Sequence, residues 1–216
     1  MRAILVPVKE FRRSKERLAP HYSEDDRAAL ARALCEDIFE VIANVHGVSR
    51  VYVVSDEDHA LDLARKRDWQ TIGETEQISE SASVDAASRF CAAEGVQALL
   101  RLPIDIPLVT AGDIGALFAA LEPAPSVVIV PSRDGAGTNA LLRSPPDLFP
   151  SHFGPDSFAL HLNEAERAGA RIRIVRNERI ALDIDEPEDL RAAADRVLSR
   201  SATARVMQRL RLRPTD

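Results

Sequence analysis

An aspartate follows a short apolar run near the middle of the chain. The run begins at Leu99 and lacks helical spacing, so it predicts a buried strand; Pro103 and Pro107 end it because proline cannot donate a ladder hydrogen bond. Asp105 then lies just past the carboxyl end of that strand. Open α/β sheets bind ligands beyond this end, so the carboxylate is placed for a metal ion or a ligand hydroxyl. Capping of a turn beside the prolines is the alternative role.

Two further aspartates, Asp183 and Asp185, stand near the C-terminus. Residues 180–190 predict a strand that leads into a helix with Pro187 near its start. Side chains repeat every two residues along a strand, so both carboxylates point to one side. Carboxylates placed in this way repel each other unless a cation lies between them, which favours a hard divalent ion, Mg²⁺ first. Two solvated surface acids are the alternative.

Cations crowd the loop that follows the first predicted strand, at residues 3–8. Arginine binds phosphate as a fork and lysine binds it as a point charge, so this loop can surround a polyphosphate. It contains neither GxxxxGK[S/T] nor GxGxxG, which disfavours phosphate cradles of the kinase and dinucleotide types. A solvated basic loop is the alternative. The five cations are Lys9, Arg12, Arg13, Lys15 and Arg17.

A segment with two glycines brings further hydrogen-bond donors together. Gly135 and Gly137 are two residues apart, which allows the backbone to approach a ligand closely. Thr138 and Asn139 place side-chain donors directly after them, and Arg133 precedes them. A hairpin turn would explain the glycines, but it would not require the polar side chains. We therefore expect the segment to approach a ligand.

Two other stretches could contact ligands through backbone amides. Gly154 and Ser157 precede an amphipathic helix, and amides at a helix N-terminus favour an anionic group such as phosphate or carboxylate. N-capping by Asp156 or Ser157 is the alternative. The polar segment 73–83 also precedes a helix and could hold a base or a ribose, although a surface loop would need no function.

Composition restricts the class of protein. The chain has 216 residues, enough for one domain with a substantial core. Its formal charge of −6 argues against a general nucleic-acid binder. We find no apolar run long enough to cross a membrane and no signal peptide, so we expect a cytoplasmic protein. Cys35 and Cys91 form no CxxC pair and are expected to be small buried residues.

Strands and helices alternate along the chain, which predicts an α/β fold with a parallel sheet. We place one domain at residues 1–199, followed by an Arg-rich C-terminal tail at residues 200–216. A terminal helix, an oligomer contact and disorder are alternatives for the tail, and we assign it no function. The oligomeric state stays open, with a homodimer as the candidate assembly.

Five motifs in order resemble the 2-phospho-L-lactate guanylyltransferase family over residues 3–198. Each motif is weak alone, because several sugar-nucleotide transferases share the aspartate at the strand end, but their order is specific. The motifs are Val6-Pro7-Val8-Lys9 with Ser14-Lys15 and Arg17-Leu18, Leu102-Pro103-x-Asp105-x-Pro107, Ser132-Arg133-Asp134-Gly135-x-Gly137-Thr138-Asn139-Ala140-Leu141, Phe153-Gly154-Pro155-Asp156-Ser157-Phe158, and Asp183-Ile184-Asp185-x-Pro187-x-Asp189-Leu190.

The resemblance implies a single-domain, three-layer, Rossmann-like fold of the nucleotide-diphospho-sugar transferase type, with a mostly parallel sheet. It also implies transfer of GMP from GTP to a phosphorylated three-carbon acid, with release of pyrophosphate, in the biosynthesis of coenzyme F-420. Phosphoenolpyruvate, 2-phospho-L-lactate and 3-phospho-D-glycerate are the acids used in the family. Which of them this chain takes stays open, and we favour 3-phospho-D-glycerate without a physical reason. Neither a nucleic acid nor a membrane is expected as a partner.

The resemblance also implies roles for individual residues. The Mg²⁺ ligands would be Asp105, Asp183 and Asp185, and the acid would be held at Thr138, Gly154 and Ser157, with Arg133 and Asn139 as further candidates. Lys9, Lys15 and Arg17 would act on the phosphates with Asp105. The nucleotide would contact Arg13, Ser14, Ser83 and Asp85. Val84-Asp85 departs from the Leu-Asn of many relatives, so the contact with guanine or ribose stays open.

Two other functions fit the same residues. One is a different nucleotidyltransferase, or a small glycosyltransferase of this fold, that uses CTP, UTP or a nucleotide sugar. The other is a domain that binds a nucleotide without turnover.

Overall fold

The computed structural model describes residues 1–74 and 79–211. Within them, one sheet of seven strands carries helices on both faces. The strands are β1 (Arg2–Val8), β2 (Arg50–Ser55), β3 (Gln70–Gly73), β4 (Ala98–Arg101), β5 (Ser126–Pro131), β6 (Thr138–Ser144) and β7 (Arg171–Ile174). The helices are α1 (Glu24–Ala43), α2 (Asp58–Arg65), α3 (Glu80–Ala93), α4 (Ala111–Ala119), α5 (Ser157–Arg167), α6 (Glu178–Ala181), α7 (Pro187–Ala194) and α8 (Ala202–Arg211).

The sheet is mostly parallel, as predicted. Its strand order is β3-β2-β1-β4-β6-β5-β7, and only β6 runs antiparallel to its neighbours among the described strands. The register pairs Leu5 of β1 with Arg101 of β4, and Arg101 with Leu141 of β6. The carboxyl ends of β1 and β4 therefore meet the start of β6 at one edge of the sheet.

Both faces of the sheet are covered, which explains why its strands read as continuous apolar runs. Helices α1, α2 and α4 pack on one face through side chains that include Phe39, Leu61 and Leu117. Helices α3 and α5 pack on the other through Val84 and Ala165, among others. This arrangement confirms the predicted three layers. Both cysteines are buried in the layers, also as predicted.

The strand predicted at residues 180–190 is wrong. Ile180 belongs to the short helix α6, and the chain from Leu182 to Glu186 is irregular. Asn177 caps α6, accepting hydrogen bonds from the amides of Arg179 and Ile180. This local cap prevails over the β propensity of the apolar run. A single backbone bond, from Ile184 N to Asp105 O at 2.9 Å, joins the segment to the loop after β4.

The C-terminal helix α8 lies within the stretch expected as an Arg-rich tail, and it packs against α1. Met207 and Leu210 of α8 are buried. The Asp37 carboxylate of α1 accepts hydrogen bonds from Ala202 N at 2.9 Å and Thr203 N at 2.8 Å, which caps the start of α8. The terminal-helix alternative therefore holds for these residues, while the rest of the tail, residues 212–216, lies outside the described part.

In the part of the chain that the structure describes, no helix combines the length and the apolar character needed to span a membrane. Residues 75–78 of the predicted base-binding segment also lie outside the described residues.

A buried carboxylate joins the first turn of α4 to the chain that leads to Asp183. Asp113 accepts hydrogen bonds from Thr110 N at 3.0 Å, from Asn177 Nδ2 at 2.7 Å and from Arg179 Nε at 2.7 Å. Burial alone would raise the pKa of Asp113, but hydrogen bonds from Arg179, Thr110 and Asn177 outweigh it and hold the pKa far below its usual range. The ionised carboxylate thus fixes where the chain turns towards the candidate site.

We expect Asp113→Ala to lower the free energy of unfolding by about 3 kcal/mol at neutral pH, because it leaves several donors without their acceptor. Urea denaturation measures this loss. The folded pKa is depressed, so the contribution is present above the unfolded pKa of about 3.9 and disappears as the pH falls below it. The wild type and the variant should therefore converge in stability under acid conditions.

The control for this prediction is Asp62→Ala in α2. Asp62 pairs with Arg65 at 2.8 Å on the exposed surface, so its loss should change the free energy of unfolding by no more than about 0.5 kcal/mol. An Asp113→Ala effect as small as that of the control would contradict the anchoring role.

Candidate active site

Three carboxylates and one ammonium group meet at the sheet edge where β1 and β4 end. Oxygen atoms of Asp105, Asp183 and Asp185 lie within 4.8 Å of one another. Lys15 Nζ donates to Asp105 Oδ2 at 2.7 Å and to Asp185 Oδ1 at 3.3 Å. The structure therefore brings together the three acids that the sequence singled out, although they come from segments far apart in the chain.

The loop that carries Lys15 is fixed by backbone geometry and by packing. Lys15 has the left-handed backbone conformation, with φ of 58°, and starts a short 3-10 turn, Glu16–Leu18. A non-glycine residue pays about 1 kcal/mol or more for this conformation, so the surrounding structure must hold it there. Leu18 supplies that support, since it is buried against Leu182 and Ile184 on either side of Asp183. The ammonium group and the acids are thus held by one apolar cluster.

Electrostatics couple the four charged groups. Burial alone would lower the pKa of Lys15, but the charges of Asp105 and Asp185 raise it above its ordinary value. Burial alone would raise the pKa of Asp105, and the adjacent Lys15 lowers it instead. Burial and then the charge of Asp105 raise the pKa of Asp183 to about 6. Lys15 therefore neutralises the charges of Asp105 and Asp185 directly. Asp183 has no such partner in Lys15, and its carboxylate is the one whose ionisation is disfavoured.

Asn139 positions Asp183. Its Nδ2 atom donates to the carbonyl oxygens of Ile180 at 2.9 Å and Ala181 at 3.1 Å, and to Asp183 Oδ1 at 3.2 Å. Asn139 is buried at the start of β6. Asn139, which the sequence suggested for substrate binding, thus holds the segment that leads to Asp183. Its role towards a substrate stays a prediction.

Thr138 presents its hydroxyl group at the cleft, and His161 fixes the orientation of that group. His152 N donates to His161 Nε2 at 2.8 Å, so Nδ1 carries the proton and donates to Thr138 Oγ1 at 3.0 Å. Burial, followed by the charges of Arg143 and Arg101, lowers the pKa of His161 to about 3, which keeps the ring neutral. The hydroxyl hydrogen of Thr138 remains available for a ligand.

The first turn of α5 also faces the cleft. Asp156 occupies the N-cap position, as one alternative expected, but it has a left-handed conformation and its carboxylate makes no cap bond. Gly154 has φ of +126°, a conformation that favours glycine. A Cβ atom on Gly137 would lie 2.8 Å from Ser132 Oγ and 3.2 Å from Ser132 Cβ, so any larger residue there would force Ser132 to move.

These residues line two adjoining chambers. The larger has a volume of about 650 Å³ and includes Thr138, Gly154 and Ser157 together with the three acids. The smaller has a volume of about 350 Å³ and is lined by the basic loop, including Lys9, Arg13, Ser14 and Lys15. Six residues belong to both chambers and form their common wall: Arg17, Glu80, Arg101, Pro103, Asp105 and Asp185.

Some predicted site residues make structural contacts. Ser83 Oγ donates to Ser79 O at 3.1 Å within its own helix, and Asp85 accepts from Ser151 N at 3.0 Å. Neither lines the two chambers within the described residues. Arg133 does line the larger chamber, where it pairs with Asp189 at 2.8 Å. The roles of all three residues towards ligands stay predictions.

Sequence reasoning missed Arg101 and Glu80. Arg101 ends β4 and is buried, and its guanidinium pairs with the Glu80 carboxylate in the common wall. The signal was available, because an arginine between Leu100 and Leu102 interrupts a strand that otherwise reads as fully apolar. A charged residue buried in a central strand needs a partner or a function.

The donor set at the acids fits a hard divalent cation. Three carboxylate oxygens close together offer ligands of the kind that Mg²⁺ and Ca²⁺ prefer. Lys15 contacts the other two acids, whereas burial and the charge of Asp105 raise the pKa of Asp183 despite its hydrogen bond from Asn139. A cation among the three oxygens would neutralise the charge of Asp183.

Comparison with known proteins agrees with this geometry. A family model described as guanylyl transferase CofC like matches residues 1–194. The phosphoenolpyruvate guanylyltransferase of Rubrobacter xylanophilus is 37% identical over 186 residues, which cover 86% of this chain and 90% of the relative. The 2-phospho-L-lactate guanylyltransferase of Methanothermobacter thermautotrophicus is 31% identical, over 86% of this chain and 81% of the relative. The 3-phospho-D-glycerate guanylyltransferase of Colwellia psychrerythraea is 30% identical, over 88% and 90%.

A solved structure shares the fold. A protein of Desulfovibrio desulfuricans, described as a nucleotide-diphospho-sugar transferase, superposes with a TM-score of 0.77 and 18% identity, covering 96% of this chain and 94% of that one. At this identity the likeness concerns the fold alone, and it confirms the predicted architecture.

We expect Lys15→Met to lower the melting temperature by roughly 5 °C without divalent cations, because Asp105 and Asp185 lose their shared partner. Addition of Mg²⁺ should restore more of the melting temperature in this variant than it adds to the wild type. Thermal denaturation followed by circular dichroism measures both effects.

Arg17→Met is the matched control, since Arg17 is exposed and lies 3.5 Å from Asp185 Oδ2. It should change the melting temperature little. An equal Mg²⁺ response in Lys15→Met and the wild type would contradict the idea that lysine and cation neutralise the same charges.

Proposed function

The chain belongs to the family of CofC-like guanylyl transferases, and from this premise we propose that it transfers GMP from GTP to the phosphate of a phosphorylated three-carbon acid, with release of pyrophosphate. The observation that carries the proposal is the position of the acids and Lys15. Asp105 and Asp185 lie in the wall between a chamber lined by cations and a chamber lined by hydroxyl and amide donors, while Asp183 lines the second chamber and Lys15 the first.

The reaction places specific demands on the protein. A phosphate oxygen of the acid attacks the α-phosphorus of GTP, and the bond from that phosphorus to the oxygen bridging to the β-phosphorus breaks. The electron pair leaves with pyrophosphate. The attacking oxygen is already an anion near neutral pH, so no protein nucleophile is required. In-line placement and charge neutralisation are what the protein must supply.

The smaller chamber suits the triphosphate. Lys9 and Arg13 are exposed side chains at its rim, and Lys15 lies buried at its inner wall. Together with Arg17 they neutralise the triphosphate and the departing pyrophosphate. Ser14 adds a hydroxyl group that now donates to Glu10 O at 3.0 Å. The triphosphate would thus enter along the basic loop, with its α-phosphate at the wall.

The larger chamber suits the acid. The hydroxyl groups of Thr138 and Ser157 and the backbone near Gly154 offer donors for a carboxylate or a phosphate. The amides of Ser157 and Phe158 already donate to Gly154 O at 3.3 Å and to Ala136 O at 3.0 Å, respectively. Arg133 adds a positive charge at the rim of this chamber. The acid's phosphate would then face the α-phosphate across the wall.

Asp105, Asp183 and Asp185 would hold Mg²⁺, which supplies neutralisation of the charge that develops at the α-phosphate. The chain's own contribution is to hold these oxygens in place through Lys15, Asn139 and the apolar support of Leu18.

The acid belongs to the class named for the relatives, which comprises phosphoenolpyruvate, 2-phospho-L-lactate and 3-phospho-D-glycerate. Phosphoenolpyruvate and 2-phospho-L-lactate both carry the phosphate on C2 and differ by a double bond, whereas 3-phospho-D-glycerate carries it on C3 and has a hydroxyl group on C2. Single group differences of this kind are worth roughly 1–3 kcal/mol in a pocket. We place the reaction in the biosynthesis of coenzyme F-420 and in the cytoplasm.

We expect the purified protein with GTP and Mg²⁺ to release pyrophosphate when one of the three acids is present, because only then is an attacking phosphate available. A coupled pyrophosphate assay measures the rate, with CTP, UTP and ATP as alternative nucleotides. Faster release with another nucleotide would instead indicate a different nucleotidyltransferase. Binding of GTP without release for any acid would indicate a nucleotide-binding domain without turnover.

We expect Asp105→Ala and Asp183→Ala each to lower turnover by roughly 10³-fold or more while the protein stays folded, because each removes a ligand for the cation. The same assay, with circular dichroism to verify folding, measures this loss. Asp62→Ala, on the exposed surface of α2, is the control and should retain full activity. Near-normal turnover in both site variants would remove the metal-based mechanism.

A further inference from the structure

Arg101 stands in the wall between the two chambers and has no part in the reaction as derived so far. Its side chain is 8% exposed, and the guanidinium carbon lies 4.1 Å from the centroid of the Phe153 ring. Nη1 donates to Asn139 O at 3.4 Å, and Nη2 pairs with the Glu80 carboxylate. These contacts hold the guanidinium plane in one orientation.

The hydrogen-bonding capacity of Arg101 is incompletely used. Its Nε atom is buried and has no acceptor among the described residues. Nε and Nη2 form one edge of the guanidinium fork, which matches the two oxygens of a carboxylate. Glu80 engages only the Nη2 half of this edge. A buried donor without an acceptor is costly, so this edge is suited to a better-matched ligand than Glu80.

The surroundings of Arg101 place that ligand on the acid's side of the wall. Phe153 and Asn139 line the larger chamber and not the smaller one, and both contact the guanidinium. Thr138 and Gly154, next to them in sequence, supply the donors expected for the acid. The group that Arg101 holds in the structure is itself a carboxylate.

On the basis of the proposed function, we propose that Arg101 binds the carboxylate of the phosphorylated acid, and that Glu80 occupies this place until the acid displaces it. The fork then gains an acceptor for Nε, and Phe153 stacks on the bound guanidinium as it does in the structure. With its carboxylate on Arg101, the acid can direct its phosphate towards the aspartates in the same wall. Glu80 acts as an internal competitor, since its negative charge must leave before the ligand binds.

The inference predicts opposite effects for the two partners of one ion pair. Arg101→Lys keeps the charge but removes the fork, so it should weaken binding of the acid tenfold or more. Glu80→Gln removes the competing charge and should strengthen that binding threefold or more. The affinity for the nucleotide should change less than twofold in both variants.

Isothermal titration calorimetry tests this on the full chain with Mg²⁺ and a GTP analogue that carries a methylene bridge between the α- and β-phosphorus atoms, so that no transfer occurs. The three acids are titrated in turn, and the analogue is titrated separately. Arg50→Lys and Glu94→Gln are matched controls. Arg50, at the start of β2, and Glu94 form an exposed ion pair 3.1 Å apart that lines neither chamber. Both substitutions should therefore leave all affinities unchanged.

Weaker binding of the acid in both Arg101→Lys and Glu80→Gln would overturn the inference, because it would show a pair that only supports the fold. An Arg101→Lys effect on the GTP analogue instead of the acid would also overturn it. If Arg101→Lys fails to fold, the direction of the Glu80→Gln effect decides. Failure of the wild type to bind any of the acids would overturn the proposed function itself. Normal binding of an acid by both the wild type and Arg101→Lys would overturn the inference about Arg101 alone.

Discussion

Like charges held close together must be neutralised, and several segments of this structure meet that requirement where three carboxylates lie side by side. Asp105, Asp183 and Asp185 converge from distant segments, where isolated carboxylates would repel one another. Lys15 contacts two of them and is held in a left-handed backbone conformation to do so. The packing of Leu18 and the amide of Asn139 support the same cluster. A site that concentrates carboxylate oxygens in this way offers a ligand set of the kind that hard cations prefer.

Sheet topology decides which side chains can share this cluster. The reversal of β6 brings Thr138 and Asn139 to the edge where β1 and β4 end. A parallel strand in the same place would have put its first residues at the opposite edge, far from Asp105. The β5–β6 connection is indeed a hairpin, as one reading of its glycines allowed, and it also delivers polar side chains to the cleft. The turn and the polar side chains that line the cleft therefore belong to one segment.

Sequence patterns located the acids better than the elements that carry them. Asp105 was predictable because prolines end an apolar run in an alternating α/β chain. Asp183 and Asp185 lie close to Asp105 although their predicted strand is a short helix and a loop, because contacts with Asn139 and with the loop after β4 hold them there. Such contacts join residues far apart in sequence and leave no local pattern. Arg101 did leave a local pattern, because it is the single charged residue in an apolar run. Such a run is easily interpreted as core, and the charged residue within it is then overlooked.

The capped contact between α8 and α1 has a consequence for how the chain can be shortened. By composition, the Arg-rich end looks dispensable. Yet Met207 belongs to the same buried cluster as Leu18, Leu182 and Ile184, the residues that flank the lysine and the last two acids. Removal of α8 would expose that cluster to water, and the loops that carry the lysine and the last two acids would lose their packing against it. Helix α8, whose described residues line neither chamber, thus helps to hold the segments that carry the charged groups.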